Sequence, residues 1–481
     1  MGVLKKVLAI DFGASNGRVI LGTYQNHNLI IEEVHRFENN AIFHEHGLYW
    51  DYDKLCEEMV IGIKKAVSVH EIDSVAINTW GVDYGLLDKE GRLISNPHHY
   101  RDRRTNGIVE EIERSFPELD LFLESGLQTQ EINSLVQLYV DQQENQLDAV
   151  DTLLFMPNLF NYYLTGVKQS ELTIASTSQL IDPYTKQWNY QLMKHMSIPT
   201  DIFPELSLPG TEVGIIKDEI LKEDIKVINV CAHDTASAVV SVPSNDDFLF
   251  ISSGTWSIVG TELEKPVIHQ GAKEKGLTNE IGINKTTRLL KNITGLWILQ
   301  EVKRELESKG KEYTYPELER LAKKARSFEC IINPDDPIFS YTGNMIDRIQ
   351  SYAIKTNQVV PSTTGEIVKT IYQSLALAYK SAIDEIESVT EKHYPVINIV
   401  GGGSKSSLLC QMIADATGRE VLAGPHEATA MGNIMIQMQY HGVITSLEDI
   451  RCEIKSRDDV VRYLPEDNHN WNQAYNKYLN I

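Results

Sequence analysis

Two carboxylates in this chain stand where a reacting or metal-holding group would be needed. Asp11 closes the apolar run Val7–Ile10 and is followed by a small polar turn, FGASNG, and then by a second apolar run. Asp234 comes after the apolar stretch Ile225–Val230, in AHDTASAVV, at the point where a helix would begin. A carboxylate beside a phosphate-cradling turn repels phosphate unless a cation lies between them, and Mg2+ favours one carboxylate together with phosphate oxygens. Asp11 is therefore expected to hold Mg2+, with a solvent-facing residue of an ordinary hairpin as the competing reading. At Asp234 a helix terminus would keep the carboxylate ionised, as a general base requires. A plain N-cap would use the same residue type, and His233 beside it, taken alone, reads as structural. A third candidate is Gly401-Gly402-Gly403, between a buried strand and a helix, where missing side chains let a phosphate or a flat ligand reach the backbone.

The glycine pattern narrows the phosphate chemistry. Neither turn supplies the GxxxxGK loop that opens a helix, and Gly13-Ala14-Ser15-Asn16-Gly17 has too few glycines for GxGxxG. The next run, Val19–Thr23, reads as a strand. This leaves a strand–turn–strand hairpin whose backbone N–H groups and small side chains surround phosphates. The stretch FLFISSGTWSIVGTEL, from Phe248 to Leu263, repeats the pattern, with Ser252 in the place of Asp11. Two such hairpins, one per domain, would face each other across a cleft.

Elements that could position these residues are readable. Val7–Ile10, Val19–Thr23, Asn28–Phe37 and Asp73–Asn78 read as strands, and Tyr52–Val69 as a helix. The middle, from about Gly107 to Leu206, is more helical and irregular. SVPSNDDF, Ser241–Phe248, has the polar, proline-containing character of a linker. It places the expected domains at 1–244 and 245–481. Beyond it the periodicity predicts a long helix over Glu366–Val389, opened by a Thr363/Glu366 capping box. The strand Val396–Val400, a helix from Ser406 to Thr417 and the strand Glu420–Leu422 come after it. Alternating strands and helices indicate an α/β fold.

At 481 residues the chain is too long for one ordinary core. Its 67 acidic residues against 45 basic ones give a net charge of −22, which argues against nucleic acid or an anionic membrane as partner. The five cysteines are scattered, with no metal-type spacing, and the expectation is reduced thiols, no disulfide and a cytoplasmic location. No apolar run reaches membrane-spanning length.

Taken together, Asp11-Phe12-Gly13 with Ser15 and Gly17, Gly254-Thr255, Gly401–Gly403 and Asp234 before an apolar helix resemble the FGGY carbohydrate kinases. The likeness extends through INTWGVDYGLLD, YRDRRTNG, MPNLFNYYLTG, AHDTASAV, SSGTWSIVG, KNITGLWILQ, INPDD and IVGGGSKSSLLCQMIADATGREVLAGP, from about Val7 to Gln437. TWGVD and NITGLW are the specific parts and point to the branch that phosphorylates L-rhamnulose on its 1-hydroxyl; DFG and GGG are general.

The resemblance implies two actin-like, ribonuclease H-like α/β domains with ATP and a ketose in the cleft between them. It implies Asp234 as catalytic base, sugar contacts at Gly81, His233, Asp234, Thr235 and Asn292, and a phosphate hairpin at Ala14, Ser15, Asn16, Gly17 and Arg18. It places further nucleotide contacts at Thr255, Gln300 and Gly402. ATP and Mg2+ are the implied cofactors, Mg2+ near Asp11, and the expected assembly is a monomer or dimer. Gly81 is expected to leave room for the sugar. Trp80 and Trp297 are each open between stacking on it and plain core, and Asp102 and Arg104 between orienting the sugar loop and an ion pair bracing it. Kinases for L-fuculose or D-xylulose, and actin-like ATPase switches, are the alternatives; His233-Asp234-Thr235 and Thr79–Asp83 favour a kinase.

Overall fold

The structure, a computed structural model, describes residues 4–44 and 47–481. Its chain divides into two compact units, and each draws on more than one stretch of sequence. The first comprises 1–241, 263–289 and 429–453, and the second 242–262, 290–428 and 454–481.

In the first unit the strands are β1 (Lys5–Phe12), β2 (Asn16–Gln25), β3 (Asn28–Glu38), β4 (Ser74–Asn78), β5 (Glu212–Ile215) and β6 (Lys226–Ile228), in the sheet order β5-β6-β4-β1-β2-β3. Strand β1 lies inside this sheet, parallel to β4 and antiparallel to β2. Val7, Leu8, Ala9 and Ile10 are all fully buried, which is why the centre of β1 is continuously apolar, whereas the edge strand β3 mixes charged and apolar residues. Leu8 and Ile10 share a core with Leu55, Met59 and Ile63 of helix α1 (Tyr52–Val67). A short helix, α2 (Asp234–Val240), comes after β6.

The second unit repeats the plan. Strands β7 (Leu249–Ser253), β8 (Trp256–Leu263), β9 (Thr287–Thr294), β10 (Val396–Val400), β11 (Glu420–Ala423) and β12 (Val461–Tyr463) run in the order β9-β8-β7-β10-β11-β12. Here β7 is antiparallel to β8 and parallel to β10, β10 is parallel to β11, and β12 closes antiparallel. The weak sequence repeat between the two hairpins is thus a repeat of sheet order and strand sense. Asp11 pairs with Arg18 and Ser252 with Ile258 at matching places near the turns.

The two helices of this half expected to begin at Glu366 and Ser406 begin at Thr364 and Ser407. Helix α3 spans Trp297–Ser308 and α4 Thr364–Thr390, the latter opened by a capping box in which Thr363 and Glu366 satisfy each other's backbone N–H groups. Helix α5 is Ser407–Thr417. Helix α6, Ala428–Tyr440, belongs from Thr429 on to the first unit and packs backbone to backbone on α2: a Cβ at Gly432 would lie 1.9 Å from the Ser237 carbonyl. Among the described residues, no helix is long and apolar enough to cross a membrane, and no disulfide joins the cysteines.

Candidate active site

The two stretches that spoke for sugar chemistry, TWGVD and AHDT, are joined through their backbones. Thr79 N–H donates to Ala232 O at 2.9 Å, and Asp234 N–H returns the bond to Thr79 O at 3.0 Å. Strands β4 and β6 run parallel and end side by side, so the loops leaving them meet at the same edge, where α/β folds place ligands. Gly81, His233, Asp234 and Thr235 are thereby gathered at one place in the first unit.

Asp234 is the first residue of α2, and His233 is the cap residue; no side-chain cap bond forms there. The N-cap reading of Asp234 therefore fails. Its side chain is 36% exposed. All its described bonds fall on Oδ1: Thr235 N–H at 2.5 Å and Thr235 Oγ1 at 3.2 Å donate to it, and His233 Nε2 lies 3.3 Å away. Oδ2 receives none among the described residues, so the group is oriented by one oxygen and presents the other. This is the geometry a proton acceptor for a bound hydroxyl needs.

The supporting loop is dense with buried carboxylates. Asp83 accepts from Trp50 Nε1 at 2.7 Å, Trp80 Nε1 at 2.9 Å, Tyr100 N–H at 3.2 Å and Gln137 Nε2 at 3.1 Å. Burial outweighs these donors and pushes its carboxyl up to about 6. Trp80 is buried against Trp50, ring centroids 4.0 Å apart, and so belongs to this core. Glu171 accepts from Ala232 N–H at 3.2 Å and from Thr173 and Ile174. Burial raises it to about 7. Gly81 has a packing role: a Cβ would meet Thr177 Oγ1 at 3.0 Å. The expected Asp102–Arg104 ion pair does not form through side chains. Arg104 pairs with Asp141 and donates to Gln137 at 3.1 Å, while Asp102 accepts from the backbone N–H groups of Arg104 and Leu48.

Two residues that motif reasoning missed stand behind His233. Glu280 Oε2 is 3.2 Å from His233 Nδ1, and the fully buried Arg288 reaches Glu280 Oε2 at 2.8 Å. Burial alone would push the Glu280 carboxyl up, but Arg288 and His233 outweigh it and hold the group at about 2. The one signal in sequence was Arg288 itself, a charge beside the apolar pair Leu289-Leu290 at the start of the strand TRLLKNIT.

At the first hairpin Gly13 N–H closes the turn on Asn16 O at 2.8 Å, and Asn39 Nδ2 ties Gly13 O from outside. Ala14, Ser15, Asn16 and Gly17 form or flank this turn. Asp11 and Arg18, assigned by the sequence to metal and to phosphate, face each other across the hairpin, Arg18 NH2 donating to Asp11 Oδ2 at 2.6 Å. One carboxylate at a strand end beside a phosphate-type turn fits Mg2+, which takes its remaining ligands from phosphate and water; its charge is already balanced by Arg18 until such ligands arrive.

The remaining sites lie in the second unit. Thr255 in the β7–β8 turn donates to Gln300 Oε1 of α3 at 3.2 Å. Leu296 and Trp297 N–H groups donate to Gly254 O and Thr255 O. Gly295 permits this approach, since a Cβ there would lie 2.4 Å from Ser257 Oγ. Trp297 donates to Phe339 O at 3.1 Å, and Asn292 is exposed on β9. The glycines after β10 serve different ends. Gly401 has φ +81°, Gly403 would place a Cβ 2.1 Å from Ser253 Oγ, and at Gly402 the nearest atom is 3.9 Å away. Neither strain nor packing explains the glycine at 402.

The chain is similar to known proteins over nearly its whole length. Residues 6–241 match the N-terminal domain of the FGGY family of carbohydrate kinases and residues 249–440 the C-terminal domain. A rhamnulokinase of Halalkalibacterium halodurans is 40% identical over 466 residues, 96% of this chain and 99% of that protein. One from Oceanobacillus iheyensis is 39% identical over 462 residues, covering 95% and 97%. Among solved structures, a ligand-bound xylulose kinase from Lactobacillus acidophilus superposes with a TM-score of 0.82 at 15% identity, covering 99% of this chain and 97% of the other. Plasmodium falciparum glycerol kinase with ADP gives 0.78 at 16% identity, covering 99% and 98%. These two likenesses carry the fold.

Proposed function

This chain belongs to the FGGY family of carbohydrate kinases, and we propose that it is the ATP-dependent kinase of L-rhamnulose, transferring the γ-phosphoryl group to the 1-hydroxyl. The near full-length similarity to rhamnulokinases supports the acceptor. The observation that carries the mechanism is Asp234, oriented through Oδ1 with Oδ2 presented. In this reading Oδ2 takes the proton of the 1-hydroxyl as its oxygen attacks phosphorus, and the leaving ADP oxygen keeps the bonding pair. Phosphoryl transfer asks little else of the protein than positioning and charge balance.

Gly81, His233, Thr235 and Asn292 are the proposed sugar contacts. Ala14, Ser15, Asn16, Gly17 and Arg18 would steady the phosphates, and Thr255, Gln300 and Gly402 the nucleotide. Asp11 would hold Mg2+, which when bound offsets charge on the β and γ oxygens. The proposed setting is the cytoplasm, as a monomer or dimer. The test is ADP release with L-rhamnulose, L-fuculose and D-xylulose, each with ATP and Mg2+. The reading expects the highest kcat/KM with L-rhamnulose. A clear preference for another ketose would move the chain to another branch, and no sugar-dependent ADP release would overturn the kinase.

A further inference from the structure

We propose that Glu280, clamped by Arg288, is a positioning residue of the sugar site: it accepts the Nδ1–H of His233 and so fixes the ring that stands beside Asp234 Oδ1, holding the carboxylate with Oδ2 turned to the sugar. The inference rests on the reading of Asp234 as the base.

The hydrogens available at Nδ1 decide the tautomer. Both Glu280 Oε2 and Arg288 NH2 lie 3.2 Å from it. The two hydrogens of Arg288 NH2 already have acceptors, Glu280 Oε2 at 2.8 Å and Ile281 O at 3.3 Å, and Nε donates to the same carbonyl at 3.3 Å. A bare Nδ1 lone pair would face the Glu280 carboxylate at 3.2 Å, so the second NH2 hydrogen goes to Ile281 O rather than to the imidazole. Glu280 is ionised and acceptor-only, so the proton between Oε2 and Nδ1 belongs to His233. The ring so held places Nε2 3.3 Å from Asp234 Oδ1.

With the ring held at Nδ1, Nε2 stays beside Asp234 Oδ1, the oxygen that Thr235 also holds, and Oδ2 is left to the sugar. Arg288 keeps Glu280 an ionised acceptor. Its cost, a fully buried guanidinium whose NH1 finds no acceptor among the described residues, is hard to justify as packing, because an apolar residue of similar volume would avoid it.

Glu280→Gln removes the charge at nearly constant shape. Because it also leaves Arg288 buried without a counter-charge, Glu280→Gln/Arg288→Met serves as the second variant. Histidine 15N–1H spectra read the ring directly and need no turnover. The His233 signal, identified by its loss in His233→Gln, is expected to show a strongly bonded Nδ1–H in the unmodified protein and to shift towards a weakly bonded one in both variants, because an amide oxygen accepts less strongly than a carboxylate. The kinetic arm expects kcat for the sugar to fall about tenfold or more, KM for ATP to hold, and Glu280→Asp to recover part of the loss. An Nδ1–H signal unchanged in a folded variant, or unchanged kcat, overturns the proposal. Equal losses in all variants that track thermal stability also overturn it, by reducing Glu280 to a structural role. If the unmodified protein phosphorylates no ketose, the kinase reading fails, and the spectra still decide whether Glu280 holds His233.

Discussion

The backbone N–H of Asp234 donates to the carbonyl of Thr79 at 3.0 Å, fixing the start of α2 against the loop that carries Gly81. That loop is tightly held. Val82 adopts φ +69°, a conformation β-branched residues avoid, and its N–H donates to Thr177 Oγ1 at 3.0 Å. Position and strain together mark it as a place where the fold gives up local comfort to set a site.

Gly81→Ala should therefore act on the sugar and not the nucleotide. The new Cβ would press on Thr177 Oγ1 at 3.0 Å, displacing the hydroxyl that holds Val82. Kinetics should show a raised ketose KM with ATP KM unchanged, and calorimetry a loss of about 1–3 kcal/mol, the usual scale of overpacking. An unaltered ketose KM would detach Gly81 from the site.

The three glycines after β10 make a paired prediction. Gly403→Ala drives a Cβ to 2.1 Å from Ser253 Oγ, so it should lower the melting temperature. Gly402→Ala meets nothing closer than 3.9 Å, so the protein should fold normally yet bind ATP more weakly. Normal ATP affinity in Gly402→Ala would remove that residue from the nucleotide site.

Much of this was legible because central strands and helix caps are local signals. β1 is apolar from Val7 to Ile10, and Thr363 and Glu366 mark the start of α4 three residues apart. The hairpin repeat survived because the turn chemistry of Gly13 and Gly254 is local too. Asp234 was legible as a candidate, but its position in the helix was not: His233 takes the cap, and one residue of shift changes what the carboxylate can reach. Glu280 and Arg288 escaped because residues 263–289 return to the first unit after the chain has left it. No local pattern encodes that return. The Asp11–Arg18 bond escaped for a simpler reason: each residue was given a ligand, and strand register gave them each other.

Metal dependence tests the other end of Asp11. A chelator should abolish ADP release and added Mg2+ restore it. In Asp11→Asn the rate should need markedly more Mg2+ to reach half its maximum. An identical Mg2+ titration in the variant would place the ion elsewhere, and full turnover in chelator would remove it from the account.

Stability should carry the signature of Glu171 and Asp83. Burial raises their folded values to about 7 and about 6, above the 4.5 and 3.8 from which they start. The folded state thus binds protons more readily than the unfolded one across that interval. Their contribution is fully present below about pH 4 and is lost as pH rises towards 7. The melting temperature of Glu171→Gln should accordingly fall less steeply between pH 5 and 7.5 than that of the unmodified protein. Parallel curves would contradict the assignment.

The most direct measurement is turnover and ATP affinity in Asp234→Asn. Asparagine keeps the size of the side chain and an oxygen for Thr235 N–H and Oγ1, while removing the proton acceptor. The account predicts a folded protein that binds ATP with ordinary affinity and loses roughly 10²–10⁴-fold in kcat, the usual size of acid–base catalysis. Near-normal kcat in a folded Asp234→Asn would contradict it.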